Sequence, residues 1–126
     1  MKFPYDNNYY PPAPMVDMTL GPPDESLTIG PLRAFVDSGA DATIIPAHYI
    51  QPLGLQVDDR KYLRTPWGDR RVVDIYYLDV GIGEVRLPFI EVVADDEGDE
   101  IILGRSVLNK LRVLLDGPAQ RIEVSP

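Results

Sequence analysis

Residues 34–43 read Ala34-Phe35-Val36-Asp37-Ser38-Gly39-Ala40-Asp41-Ala42-Thr43. An apolar run delivers a carboxylate, and a hydroxyl and a glycine follow at once. Upstream, Leu32, Ala34 and Val36 fall on one face of an extended chain and Arg33 and Phe35 on the other, so residues 32–36 are predicted to form a strand that ends at Asp37. An acid there is presented on a tight turn instead of being solvated along a strand face. Gly39 lets the backbone come close enough for amides to hydrogen-bond it. The same tripeptide also fits a plain turn in which Asp37 bonds only its own backbone.

On either side of this stretch, short apolar runs are cut by turn residues at close intervals, the pattern of an all-β domain. Strands are predicted over residues 15–20, 26–29, 43–46 and 60–65, and residues 101–103 form an apolar stretch. Residues 71–80 and 84–93 form a hairpin across Gly81-Ile82-Gly83, with Pro88 marking an edge or a bulge. Pro66-Trp67-Gly68-Asp69 is a turn, as is the stretch 52–55, and residues 113–116 and 121–124 close the chain as a second hairpin. One short helix is expected over residues 106–111, with Ser106 as its N-cap. Residues 1–14, rich in Pro, Tyr and Asn, read as a flexible arm, and residues 15–126 as the folded domain.

A chain of 126 residues makes one domain and has no room for two equivalent lobes; the Asp-Ser-Gly motif occurs once. With no cysteine there is no disulfide framework, thiol nucleophile or Cys-type zinc site. The apolar runs fall far short of the roughly 18 residues of a membrane span, and residues 1–14 lack the apolar region of a signal peptide. A cytoplasmic protein with no membrane partner is therefore expected. A net charge of -8, with no basic cluster longer than Arg70-Arg71, argues against a nucleic-acid partner. His48 is the only histidine and completes no familiar catalytic triad. The acidic run 95–100 lacks the ligand spacing of an EF-hand and reads as a solvated loop, so neither metal nor cofactor is expected.

A second signal, Ile101-Ile102-Leu103-Gly104-Arg105-Ser106-Val107-Leu108, places its glycine 67 residues after Asp37 (104 minus 37) and leads into the expected helix. Together the two stretches resemble the retroviral-type aspartic proteases, the retropepsins, over about residues 15–124. In that family a hydrophobic strand enters Asp-Ser/Thr-Gly-Ala, and a late Ile/Leu-Gly-Arg opens a C-terminal helix. The resemblance implies a closed all-β barrel with one short C-terminal helix. It further implies a homodimer in which two Asp37 carboxylates meet across a two-fold axis, share one proton and hydrolyse a peptide bond of a polypeptide substrate.

Residue by residue, the resemblance makes Asp37 catalytic, with Ser38 fastening the two active-site loops together and Gly39 allowing close backbone approach. Ala40 and Asp41 would line the cleft, Asp41 either bonding substrate amides or pairing with Arg105. Gly104 and Arg105 would support the loop from below. Asp41 and Arg105 can also be read as a pair of solvated surface charges. The hairpin over residues 66–69 takes the place of the substrate-covering flap, with Trp67 and Gly68 as substrate-binding residues. Its Trp67, flanked by Arg64, Asp69, Arg70 and Arg71, departs from the glycine-rich retroviral flap tip. Trp67 is open between a lid on the substrate and an aromatic cover for the core. The alternative to an endopeptidase is the same fold kept as a dimerisation or peptide-binding module with little or no turnover.

Overall fold

A computed structural model describes residues 1–64 and 67–126; Thr65 and Pro66, the latter the first residue of the expected flap turn, lie outside the described residues. Among the described residues, ten strands and two single-turn α-helices, the first continued by a 3-10 turn at Gln51–Leu53, run in the order β1 (Lys2–Pro4), β2 (Met15–Gly21), β3 (Ile29–Val36), β4 (Thr43–Pro46), α1 (Ala47–Ile50), β5 (Asp59–Arg64), β6 (Arg70–Ile82), β7 (Val85–Asp95), β8 (Ile101–Leu103), α2 (Arg105–Leu108), β9 (Arg112–Asp116) and β10 (Arg121–Ser125).

Hydrogen bonding runs β2-β3-β8-β4-β7-β6, and β6 returns to β2 through Thr19↔Gly81, Leu20↔Val80 and Gly21↔Asp79, which closes a barrel. β3 pairs with β8 and β4 with β7 in parallel; the other barrel pairs are antiparallel. β5 hangs from the free side of β6, so the β5–β6 hairpin projects beyond the barrel wall. Alternation along the strands sends Val16, Met18 and Leu20 of β2 and Leu78 and Val80 of β6 inward, where all are fully buried with Ile45, Ile90 and Leu103. Each such side chain stabilises the fold by roughly 1.5–3 kcal/mol. A smaller apolar cluster, Val73, Ile75 and Val93 with Ala42, Ile44 and Leu63, lies between the base of the projecting hairpin and the loop after β3.

The mostly-β barrel agrees with the sequence reading, and several local elements differ from it. The predicted strand 32–36 lies within β3, which begins at Ile29; of the strand expected over 26–29 only Ile29 is found, and residues 26–28 are not strand. A helical turn follows β4 at Ala47–Ile50, where a single turn is too short to show apolar periodicity. α2 begins one residue earlier than expected, with Gly104 at the N-cap position and no side-chain cap; Ser106 lies inside the helix, so the capping role expected for it is not found.

The arm expected at residues 1–14 is instead tied down. β1 pairs with β10 at Lys2↔Glu123, Phe3↔Ile122 and Pro4↔Arg121, making a three-stranded sheet ordered β1-β10-β9. The Met1 ammonium donates to the Val124 carbonyl at 2.8 Å, Asp6 bridges to Ala13, and the Tyr9 ring meets Phe35 edge-on at 4.6 Å. Pro4, which has no N–H, sits on an edge strand where none is needed.

Pro88 marks a bulge. Pairing slips between Leu78↔Ile90 and Val80↔Leu87, leaving Pro88 and Phe89 opposite the single residue Asp79. Asp79 is 1% exposed and accepts from the Phe89 amide at 2.8 Å, the Asp24 amide at 3.0 Å and Arg86 Nη2 at 2.7 Å. Burial pushes this carboxyl upward. The Phe89 amide, the Arg86 guanidinium and the Asp24 amide outweigh burial and hold it below the usual carboxylate range. No helix among the described residues is long and apolar enough to cross a membrane.

Candidate active site

β3 ends where the parallel β3–β8 ladder runs out, and the ladder is carried one step further by the Asp37 amide, which donates to the Leu103 carbonyl at 3.0 Å. The chain then turns at once: Ala40 N–H donates to the Asp37 carbonyl at 3.2 Å, and Gly39 N–H donates to Asp37 Oδ1 at 2.9 Å. Asp37 thus forms the turn as the plain reading required, and its side chain is also exposed on that turn. Oδ2 has no hydrogen bond among the described residues. A Cβ on Gly39 would stand 3.2 Å from Asp37 Oδ1, so glycine keeps the carboxylate close to its amide.

The loop rests on the start of α2. Arg105 N–H donates to the Ala40 carbonyl at 2.8 Å, and Arg105 Nη1 donates to the Ser38 carbonyl at 3.0 Å. Gly104 is buried against the loop, and a Cβ there would collide with the carbonyl oxygens of Ala42 and Ala40. Its N–H donates to Thr43 Oγ1 at 3.1 Å, and Thr43 Oγ1 shares a 2.7 Å hydrogen bond with Ser106 Oγ. Thr43 is fully buried. The sequence reading gave neither hydroxyl a role beneath the turn; the only available signal was that both flank the two motifs.

The structure brings Asp37, Ser38, Gly39, Ala40, Gly104 and Arg105 together. It does not pair Asp41 with Arg105: among the described residues Asp41 makes no ion pair, and the guanidinium is committed to Ser38. Asp41 is exposed on the rim of a 330 Å³ cavity between the loop and the projecting hairpin. Asp41, Ala42 and Ser106 form one wall, and Leu63, Val73, Ile75 and Val93 make an apolar floor. Across that floor Lys61 Nζ donates to Glu91 Oε1 at 2.6 Å. The hydrogen bond to Glu91, and then its charge, raise the Lys61 ammonium above its ordinary value.

At the tip of the hairpin the last described pair is Arg64↔Arg70, and Gly68 has a φ of +87°, a conformation that glycine adopts freely. Trp67 is 87% exposed. It covers no core in this chain. His48 lies on α1 against Tyr49, with ring centroids 4.1 Å apart and the ring planes tilted by 42°. Among the described residues no three His, Asp or Glu side chains are grouped as metal ligands would be.

The model of the family described as gag-polyprotein putative aspartyl protease matches residues 29–110, which carry both the Asp37 turn and the Gly104-Arg105 support. Among solved structures, the chain is similar to a retropepsin-like aspartic protease from Rickettsia conorii, with 16% identity and a TM-score of 0.62 over 100% of this chain and 92% of that one. It is similar to the protease of Simian Foamy Virus (mac), with 21% identity and a TM-score of 0.53 over 75% and 91% of the two chains. The retroviral protease-like domain of Ddi1 from Leishmania major shares 20% identity at a TM-score of 0.52, over 90% and 94%. At these identities the likeness establishes the fold. No curated protein matches the chain.

Proposed function

The chain belongs to the gag-polyprotein aspartyl protease family and has its retropepsin-like fold, and from that premise we propose that it is an aspartic endopeptidase active as a homodimer. The observation that carries the reading is the exposed Asp37 carboxylate, fixed by one turn amide through Oδ1 and left open at Oδ2, in a chain with a single Asp-Ser-Gly motif. A second carboxylate then comes from a second copy, because a residue on a two-fold axis faces its own twin. Two carboxylates about 3 Å apart hold one proton between them. The ionised one takes a proton from water as that water attacks the scissile carbonyl carbon, and the protonated one donates to the carbonyl oxygen. Collapse of the tetrahedral intermediate breaks the C–N bond, with a proton delivered to the leaving amine.

In this reading Ser38 joins the two turns through its hydroxyl, and Gly39 and Ala40 admit an extended peptide whose amides Asp41 accepts. Such a peptide satisfies its backbone by β-type pairing between floor and flap. Trp67 and Gly68 at the tip of the β5–β6 hairpin close over it. The dimer, the moving flap and a cytoplasmic setting belong to the same proposal. Family membership does not favour the alternative of a peptide-binding module without turnover.

The test is cleavage of an unbiased peptide library by wild type beside Asp37→Asn, with oligomeric state recorded on the same samples. Cleavage by wild type that is lost in Asp37→Asn with the fold intact is the expected result; full activity in the variant overturns the reading.

A further inference from the structure

The cavity beside the Asp37 turn is lined from the loop after β3, from β5, β6 and β7, and from α2. Its floor is apolar, with Val73, Ile75 and Val93 all at most 5% exposed. An ion pair lies over that floor. Lys61 stands opposite Val73 in the β5–β6 register and Glu91 opposite Tyr77 in the β6–β7 register, so their bridge crosses β6 at the level of Ile75.

The side chains of Lys61 and Glu91 are 53% and 39% exposed, and a pair so open to water adds little to the stability of the fold. Its effect falls on whatever enters the cavity. A substrate side chain that fills the space excludes water from both charges, and charges are tolerated there only while they stay paired with each other. An incoming charge would have to break the 2.6 Å contact to find a partner, whereas an aliphatic group rests on the floor and leaves the pair whole.

Resting on the endopeptidase reading, we propose that the Lys61–Glu91 pair closes this cavity against charge and restricts it to one uncharged aliphatic side chain of the bound peptide. Asp41, on the opposite rim, stays in solvent and serves the peptide main chain. Removing either partner frees the other. With Lys61 gone, Glu91 becomes a counter-charge for lysine or arginine at the same substrate position. With Glu91 gone, Lys61 becomes one for aspartate or glutamate.

The experiment uses peptide retention, so that it does not depend on turnover. Asp37→Asn protein, alone and combined with Lys61→Ala, with Glu91→Ala or with the exchange Lys61→Glu plus Glu91→Lys, is incubated with an unbiased synthetic peptide library. Retained peptides are sequenced by mass spectrometry. The expected result is an aliphatic preference at one substrate position with the pair intact. At that same position basic residues gain about tenfold with Lys61→Ala and acidic residues about tenfold with Glu91→Ala, the size of one charge-assisted hydrogen bond. The exchange returns the aliphatic preference. Retention without a preference, a preference that the substitutions do not move, or no retention at all overturns the inference. If the switch is seen and the wild type cleaves none of the retained peptides, the endopeptidase reading falls and this inference stands.

Discussion

Thr43 Oγ1 and Ser106 Oγ lie 2.7 Å apart beneath the Asp37 turn, joining the strand after the first motif to the helix after the second. Thr43 Oγ1 also accepts the Gly104 N–H at 3.1 Å, so a single buried hydroxyl serves both a backbone donor and a side-chain partner. Thr43→Val keeps the shape and removes both bonds, leaving the buried Gly104 amide unsatisfied. The expected cost is about 2 kcal/mol, read as a lowered urea midpoint with unchanged slope. Ser106→Ala leaves the Gly104 bond in place and should cost less than half as much.

Arg105 separates stability from activity. Its Nη1 reaches the Ser38 carbonyl at 3.0 Å on an exposed flank of the loop, where one hydrogen bond is worth about 1 kcal/mol or less. The same bond fixes the residue next to Asp37. Arg105→Ala is therefore expected to shift the unfolding midpoint only slightly and to lower kcat/KM about tenfold or more, since small misplacements of a reacting group carry large rate penalties. Equal losses in stability and rate, measured on the same preparation, would make Arg105 a fold residue only.

The motif turn and its support were legible because they rest on residue types with few substitutes. A carboxylate at the end of an apolar strand, a glycine after it and a Gly-Arg opening a helix each need that residue for steric or donor reasons. The Thr43–Ser106 contact was not legible, because two hydroxyls 63 residues apart leave no periodic signal. Neither was the choice of Ser38 over Asp41 as the partner of Arg105, which depends on how α2 enters the loop. The Pro-rich start of the chain read as an arm because β10, which pairs with it, lies at the other end of the sequence. Asp79 lies inside the predicted strand 71–80, and nothing in its local sequence set it apart. Pro88 was the clue, since the bulge it marks turns the Phe89 amide onto that carboxylate.

Asp79 predicts a pH dependence. Its folded-state value is held below the ordinary one, so its stabilisation is fully present above the unfolded carboxylate value of about 4 and is lost as pH falls through the folded value. Asp79→Asn leaves Arg86 without its carboxylate partner while its bond to the Glu25 carbonyl remains, and the 41% exposure of that side chain reduces the penalty of a buried broken pair to about 2 kcal/mol. The stability gap between wild type and Asp79→Asn should be full at neutral pH and narrow steadily below about pH 4. A gap that is constant from neutral to acid conditions in chemical denaturation would assign the loss to packing around the bulge instead of to charge.

Trp67 is 87% exposed at the tip of the β5–β6 hairpin and is the only tryptophan in the chain. So large an aromatic surface left in water contributes almost nothing to the free chain, and Trp67→Ala should move its stability by no more than about 0.5 kcal/mol. If the hairpin closes over a peptide, that ring passes from water to a covered site. Peptide added to the Asp37→Asn protein should then shift the tryptophan emission to shorter wavelength, with the shift saturating as binding does. The Trp67→Ala variant of the active protein should show a raised KM with a smaller change in kcat, because a lid lost from the substrate removes binding before it removes chemistry. An emission spectrum unmoved at saturating peptide would mean that Trp67 stays outside the closed cleft and is no part of the lid.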